Sequence, residues 1–242
     1  MSTVPEQSQV AYADALAEAA LDEMKRDTVI GLGAGHTAAR GIRALAERYK
    51  SDLGKGIDLN IRCVCGSEAS EQLAHELGLP VVDFATIEQV DTFIDGADEI
   101  DRGLRVMKGA RGAMTRERMI AWASARNVYM VRDDKVSDHI GEKQPLAIAV
   151  FAFGLESIRA ELRAIGLNGV VRRTLNGDLF ITDNGNLVLD CTLEPGLNLR
   201  EIAQTLNDIP GVVDHGMFLD EADVILIEHR DEQGQTARIE RL

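Results

Sequence analysis

Apolar positions recur along this chain at helical spacing and in short continuous runs, and the two patterns alternate. Leu16, Ala20, Leu21 and Met24 share one stripe and predict a helix over 10–25, followed by a short apolar strand, Thr28-Val29-Ile30-Gly31-Leu32. A glycine turn, Gly33-Ala34-Gly35, leads to a helix opened by Thr37, in which Ile42, Leu45, Ala46 and Tyr49 repeat at i, i+3, i+4 and i+7. The unit recurs with a strand at 61–64, Ser67 as N-cap, a stripe of Ala69, Leu73 and Leu77, and Gly78 as terminator before Pro80. A strand at 90–94, a helix at 115–126 with Met119, Ile120 and Ala123 inward, and a strand at 128–131 continue the series. Trp122 and the methionines read as core. Strands alternating with helices predict an α/β fold, a Rossmann-like and mostly parallel sheet with helices on both faces.

Past Gly141 the pattern changes. A strand at 147–151, a helix stripe of Leu155, Ile158, Leu162 and Ile165, hairpin arms at 170–174 and 179–182 around Asn176-Gly177, a strand at 187–191 and a helix capped by Asn198 predict a smaller α+β, ferredoxin-like domain. Short apolar strands at 212–213, 217–219 and 224–227 are expected to rejoin the first sheet. The expected division is therefore 1–141 with 213–242 as the Rossmann-like catalytic domain and 142–212 as the small domain.

Composition narrows the class. Of 242 residues, 45% are hydrophobic and 27% charged, ordinary for a soluble globular chain. A net charge of −14 and only 4% aromatics argue against nucleic acid and anionic membranes as partners. Cys63, Cys65 and Cys191 form no disulfide framework, and Cys63-Val64-Cys65 lacks common metal or redox spacing, so core packing in a reducing compartment is expected. With no signal-like or membrane-spanning apolar run, a cytoplasmic location is expected.

Three segments carry candidate chemistry. Gly33-Ala34-Gly35-His36-Thr37-Ala38 fits G-x-G-x-x-A at a strand-to-helix junction, where glycines let backbone N–H groups approach an anion. A dinucleotide site also needs an acid about 20 residues on, and Glu68, the first acid past the second strand, comes too late. A single phosphate on the helix N-terminus and the Thr37 hydroxyl ranks first, a tight structural turn second and a dinucleotide third. Asp95-Gly96-Ala97-Asp98-Glu99-Ile100-Asp101 puts a carboxylate cluster at the end of a strand, where open α/β sheets bind ligands; acid/base use ranks above a metal. In Lys108-Gly109-Ala110-Arg111-Gly112-Ala113-Met114-Thr115-Arg116-Glu117-Arg118 a carboxylate in the first helical turn and a nearby lysine suit a base paired with a cation, and Lys135 offers another cation at that sheet edge.

These pieces, in this order, resemble type A ribose-5-phosphate isomerase. The matching stretches are 29–38, Ser67-Glu68-Ala69-Ser70, 95–100, 108–118, Asp134-Lys135, 182–186, Gly211-Val212-Val213 and Gly216-Met217-Phe218, and DGADE followed by a KGxxGAxTRE-type segment is the specific part. The resemblance implies interconversion of ribose 5-phosphate and ribulose 5-phosphate in the non-oxidative pentose phosphate pathway, without metal or organic cofactor, by a homodimer or homotetramer. It makes Glu117 the base that moves a proton between C1 and C2 through an enediolate. Lys108 lies beside the reacting oxygens, and Asp95 is the acid assisting ring opening and oxygen protonation. Asp98 becomes a hydroxyl partner, and Gly33, Ala34, Gly35, His36, Thr37, Gly109 and Lys135 become contacts to the sugar phosphate. Departures gather at the phosphate end. The family reads GxGTGST where this chain has Ala34 and His36, the lysine of the first helix is missing from 12–21, and Arg132 and Asp134 stand where Asp and Ser are common. His36 or Arg40 is then the replacement donor. The rival readings are a related isomerase with an altered substrate, a non-catalytic sugar-phosphate sensor and a dinucleotide-dependent dehydrogenase.

Overall fold

A computed structural model describes residues 14–242. In chain order its elements are α1 (Ala15–Leu21), β1 (Val29–Leu32), α2 (Gly35–Gly54), β2 (Arg62–Cys65), α3 (Glu68–Glu76), β3 (Thr92–Gly96), β4 (Glu99–Asp101), β5 (Val106–Met107), α4 (Met114–Ala123), β6 (Asn127–Arg132) and β7 (Val136–Ser137). Then come β8 (Leu146–Val150), α5 (Leu155–Ala164), β9 (Gly169–Val171), β10 (Leu187–Cys191), α6 (Leu199–Asp208), β11 (Val212–His215), β12 (Met217–Phe218), β13 (Val224–Arg230) and β14 (Thr236–Arg241). Residues 10–13 of the first predicted helix lie outside the described residues. Asp14 caps α1, accepting from Ala17 N at 3.1 Å.

The largest sheet runs β14-β13-β6-β3-β1-β2, parallel except for the edge strand β14. Its strands are apolar on both faces because helices cover both. Leu16, Leu21, Ile42 and Leu45 pack with Ile30, Ile94 and Met130 on one side, and Met114, Ile120 and Ala121 pack with Phe93, Tyr129 and Ile225 on the other. Strand order reverses between β1 and β3, and such a switch point opens a crevice at the carboxyl ends of the strands. A second sheet, β11-β8-β10-β9, is antiparallel and is laid out β8-α5-β9-β10-α6-β11, the ferredoxin-like arrangement. A third, β12-β5-β4-β7, takes β4 and β5 from between β3 and β6, β7 from between β6 and β8, and β12 from between β11 and β13. Ala147, Ala149 and Val188 of the second sheet share a core with Phe93, Tyr129 and Ile225 of the first.

The Ser67 cap is confirmed by a reciprocal capping box with Ser70, and Asn198 caps α6. Several expectations need correction. Of the three late strands only β13 rejoins the large sheet; β11 pairs with β8, and β12 pairs with β5. Runs of two to four apolar residues carry no information about their partner strand. α2 begins at Gly35, two residues before Thr37. Trp122 is 86% exposed and Met119 57% exposed, so neither is core. The buried stripe of α4 is Met114, Glu117, Ile120 and Ala121, and a carboxylate occupying an inward slot turns Met119 and Trp122 outward.

Candidate active site

The switch point gathers the chemistry. β1 ends at Leu32 and the chain turns through Gly33 and Ala34 into α2; β3 ends on Asp95 and Gly96; Lys108 follows β5; Glu117 projects from the first turn of α4. A cleft of about 530 Å³ is lined there by Thr37, Asp98, Lys108, Glu117 and a row of cationic side chains.

Lys108 Nζ sits between two buried carboxylates, 2.6 Å from Asp95 Oδ2 and 3.0 Å from Glu117 Oε1, and donates to Gly96 O at 2.8 Å. The other oxygen of Asp95 accepts from Gly96 N at 2.6 Å and Ala34 N at 3.1 Å. Gly33 is required by this packing: a Cβ there would lie 1.9 Å from Asp95 Oδ1. The three ionic groups perturb one another. Burial, reinforced by the Asp95 charge, raises the Glu117 carboxyl well above the ordinary carboxylate range, although Lys108 pulls the other way. Burial also raises Asp95 against the opposing pull of Lys108. Burial works against the Lys108 ammonium, but the charges of Asp95, Glu117 and Asp98 outweigh it and its pKa rises. A raised carboxylate is a stronger base, and a fixed ammonium stabilises negative charge developing beside it.

The acids of the 95–101 segment divide by role. Asp95 is buried behind the cleft, while Asp98 lines it and accepts from Ala110 N at 2.9 Å. Glu99 is structural: its two oxygens accept the backbone N–H groups of Gly141, Glu142, Lys143 and Gln144 at 3.0–3.1 Å and bring Gln144 to the cleft rim. Asp101 binds Arg105 at 2.6 Å and the Gly103 N–H at 2.9 Å.

Of the residues expected at the sugar phosphate, Ala34, Gly35, His36, Thr37, Asp98, Gly109 and Lys135 line the cleft. Gly33 does not; it gives Asp95 room. α2 carries no side-chain cap, so the N–H groups of its first turn are left for a ligand or water. Arg40 borders the cleft, but its guanidinium is committed to Asp14 at 2.6 and 2.7 Å and to Glu228 at 3.1 Å, which removes it as the replacement donor. Sequence reasoning gave no binding role to Arg111, Arg132 or Arg230, which line the same cleft. Arg132 and Arg230 end β6 and β13 and Arg111 lies in the turn before α4, and only their adjacency to glycine or acid would have marked them.

Among the described residues no group of three or more His, Cys, Asp or Glu side chains is placed to hold a metal, and no helix is long and apolar enough to cross a membrane. Cys63 and Cys191 are buried, and burial pushes their thiols up to about 12.

The family model for ribose 5-phosphate isomerase A (phosphoriboisomerase A) matches residues 62–232. The ribose-5-phosphate isomerase A of Sphingopyxis alaskensis is 41% identical over 88% of this chain and 90% of its own length. Among solved structures, a D-ribose-5-phosphate isomerase in complex with phospho-erythronic acid superposes with a TM-score of 0.84 at 31% identity, covering 94% of this chain and 95% of that one. The ribose 5-phosphate isomerase of Plasmodium falciparum gives 0.84 at 30% identity, over 94% and 95%.

Proposed function

The chain belongs to the ribose 5-phosphate isomerase A family, and from that membership we propose how its own residues carry the reaction. It is an aldose-ketose isomerase that interconverts D-ribose 5-phosphate and D-ribulose 5-phosphate. Glu117 removes the proton from C2 of the open-chain aldose, the electron pair moves toward the carbonyl oxygen, and an enediolate forms. Returning the proton from Glu117 to C1, while the two oxygens exchange theirs, gives the ketose. Lys108 neutralises the enediolate charge; fixed donors of this kind are worth about 3 kcal/mol in the transition state. Asp95 acts through Lys108, keeping the ammonium charged, so that Lys108 Nζ lends a proton to one sugar oxygen and recovers it from the other, and Asp98 binds sugar hydroxyls. The observation that carries this reading is the Asp95–Lys108–Glu117 arrangement, a raised carboxylate base and a cation 3.0 Å apart at the cleft. Phospho-erythronic acid, bound by the structural relative, is a phosphorylated sugar acid, whose carboxylate is an anion of the kind Lys108 would neutralise.

The phosphate end is held by the N–H groups of Gly35 and His36, the Thr37 hydroxyl and Lys135, with Arg111 supplying positive charge that Ala34 and His36 do not, and with Arg132 and Arg230, paired on one side with Asp134 and Glu228 respectively, adding to it. We assign the reaction to the cytoplasmic pentose phosphate pathway, with catalytic residues in the unit formed by 1–141 and 216–242 and a small unit that runs 142–215 so as to include β11. A homodimer or homotetramer would cover exposed apolar side chains such as Trp122, Phe153 and Leu175.

Ribose 5-phosphate deuterated at C2 tests the base assignment. Wild type should turn it over more slowly than the protiated sugar, and E117Q should lose about a thousandfold or more in kcat with KM little changed. Equal rates for the two sugars with turnover preserved in E117Q would overturn it.

A further inference from the structure

Glu117 and Arg118 are neighbours on α4 that face opposite ways. Glu117 meets Lys108 at the cleft, whereas Arg118 is absent from the cleft lining and borders a separate cavity of about 560 Å³ with Trp122 and Arg200. Its guanidinium is engaged on every side. Nε donates to Asp214 Oδ1 at 2.8 Å, Nη1 pairs with Glu221, and Nη2 donates to His215 O at 2.7 Å and Met217 O at 3.0 Å. The guanidinium carbon stands 4.0 Å from the Phe218 ring centre. Burial and the Arg118 charge hold His215 down to about 3, so its ring is neutral, and its Nδ1 accepts from Met217 N at 3.3 Å.

The two carbonyls that Arg118 grips flank Gly216. Gly216 O accepts from Lys108 N at 2.8 Å, and Gly216 N donates to Ala147 O at 2.8 Å. The approach is so close that a Cβ on Gly216 would lie 2.1 Å from Lys108 O. Contacts therefore run in a closed ring: from the α4 backbone through the Arg118 fork to the 215–217 peptides, on to the Lys108 backbone, and back through Lys108 Nζ to Glu117 Oε1 at 3.0 Å. Otherwise the helix bearing the base and the segment bearing the cation meet through apolar packing, in which Met114, Ile120 and Ala121 of α4 lie with Val106 of β5 and Phe218 of β12, and the Arg118 fork adds a directed polar grip between α4 and the 215–217 peptides that the Lys108 backbone bonds.

We propose that Arg118 is a positioning residue that sets the separation between the Glu117 carboxylate and the Lys108 ammonium by clamping α4 to the 215–217 peptides. The proposal rests on Glu117 being the base. A planar fork reaching two carbonyls and two carboxylates is something an arginine supplies and a lysine does not. A misplacement of about 1 Å in such a pair costs about a hundredfold in rate. The charged groups acting on Glu117 are Lys108, Asp95 and Asp98; Asp214, His215 and Glu221 gather about Arg118, and Tyr129 lies within reach of Asp95, Glu117, Arg118 and Glu221. Loosening the clamp weakens the pull of Lys108 on Glu117 and leaves burial and the two aspartates unopposed, so the acid limb of the rate profile moves up in pH.

R118K, D214N and E117Q, assayed with ribose 5-phosphate across pH, test this. R118K should lower kcat about tenfold or more, leave KM within about twofold, and move the acid limb of kcat/KM upward. D214N keeps the grip on both carbonyls and should keep the wild-type limb and kcat within about threefold. If R118K does not fold, R118Q combined with D214N, which removes the cation and a carboxylate partner together, is read by the same three quantities. Wild-type kcat in the Arg118 variant, a KM rise matching the loss of kcat/KM, or an unmoved limb would overturn the proposal. An active E117Q would instead overturn the base assignment on which it rests.

Discussion

The two ends of the cleft solve opposite electrostatic problems. At the reacting end Asp95, Lys108 and Glu117 are buried and in direct contact, each side chain no more than 5% exposed. At the anchoring end His36, Arg111, Arg132 and Arg230 are exposed, with Lys135 beside them. Water screens the second set and hardly reaches the first, so a charge at the reacting end is worth more and is more dangerous to leave unpaired. The contrast also bears on the net charge of −14, which would repel a sugar phosphate from a distance. In the proposed binding mode the cationic rim offsets that field where the phosphate arrives.

Four experiments press on this contrast. The largest effect is expected for K108M, which leaves two buried carboxylates facing each other: stability should fall by about 3–5 kcal/mol in denaturant titration, and kcat by about 10²–10³. E117Q should separate the two quantities. Because burial and Asp95 raise Glu117, its ionised form is held at a disadvantage in the folded state, and this fixes the sign of the pH dependence. Between the ordinary carboxylate value near about 4.3 and the raised folded value, the native state holds a proton that the unfolded state has lost, so stability falls as pH rises through that window. E117Q removes this slope: thermal unfolding should show a flatter pH dependence and no loss of Tm at neutral pH, with activity gone. In wild type, activity itself should fall as pH drops through the raised pKa, above the range of an ordinary carboxylate. Smaller effects belong to the rim. R132A, R230A and R111A should each raise KM about three- to tenfold with kcat within twofold. Smallest is the response to salt: raising ionic strength from 0.01 to 0.15 M, which shortens the screening length from about 30 to about 8 Å, should raise KM severalfold and leave kcat unchanged. Salt acting equally on both constants would erase the distinction between the two ends.

The proposed reacting end was marked in the sequence because its residues sit at punctuated places: Asp95 at a strand end before Gly96, and Glu117 one turn into a helix after a glycine-rich segment holding Lys108. The rim was not, since arginines at 111, 132 and 230 look like solvated surface until the fold brings the ends of β6 and β13 and the turn before α4 to one cleft. Gly33 shows the opposite hazard: a glycine in a phosphate-loop pattern whose space is taken by Asp95. Trp122 and Met119 misled for a related reason, because a helix that gives an inward position to a buried carboxylate must turn an apolar one out. Strand bounds were readable where runs were long, as at β10, and the partner strand was unreadable at the two-residue β12.

The claim that a buried carboxylate beside Lys108 moves the proton is tested most directly by following ribulose 5-phosphate in deuterated water with wild type and E117Q. Wild type should form ribose 5-phosphate and exchange carbon-bound hydrogen for deuterium, and E117Q should do neither; exchange by E117Q at the wild-type rate would contradict the account.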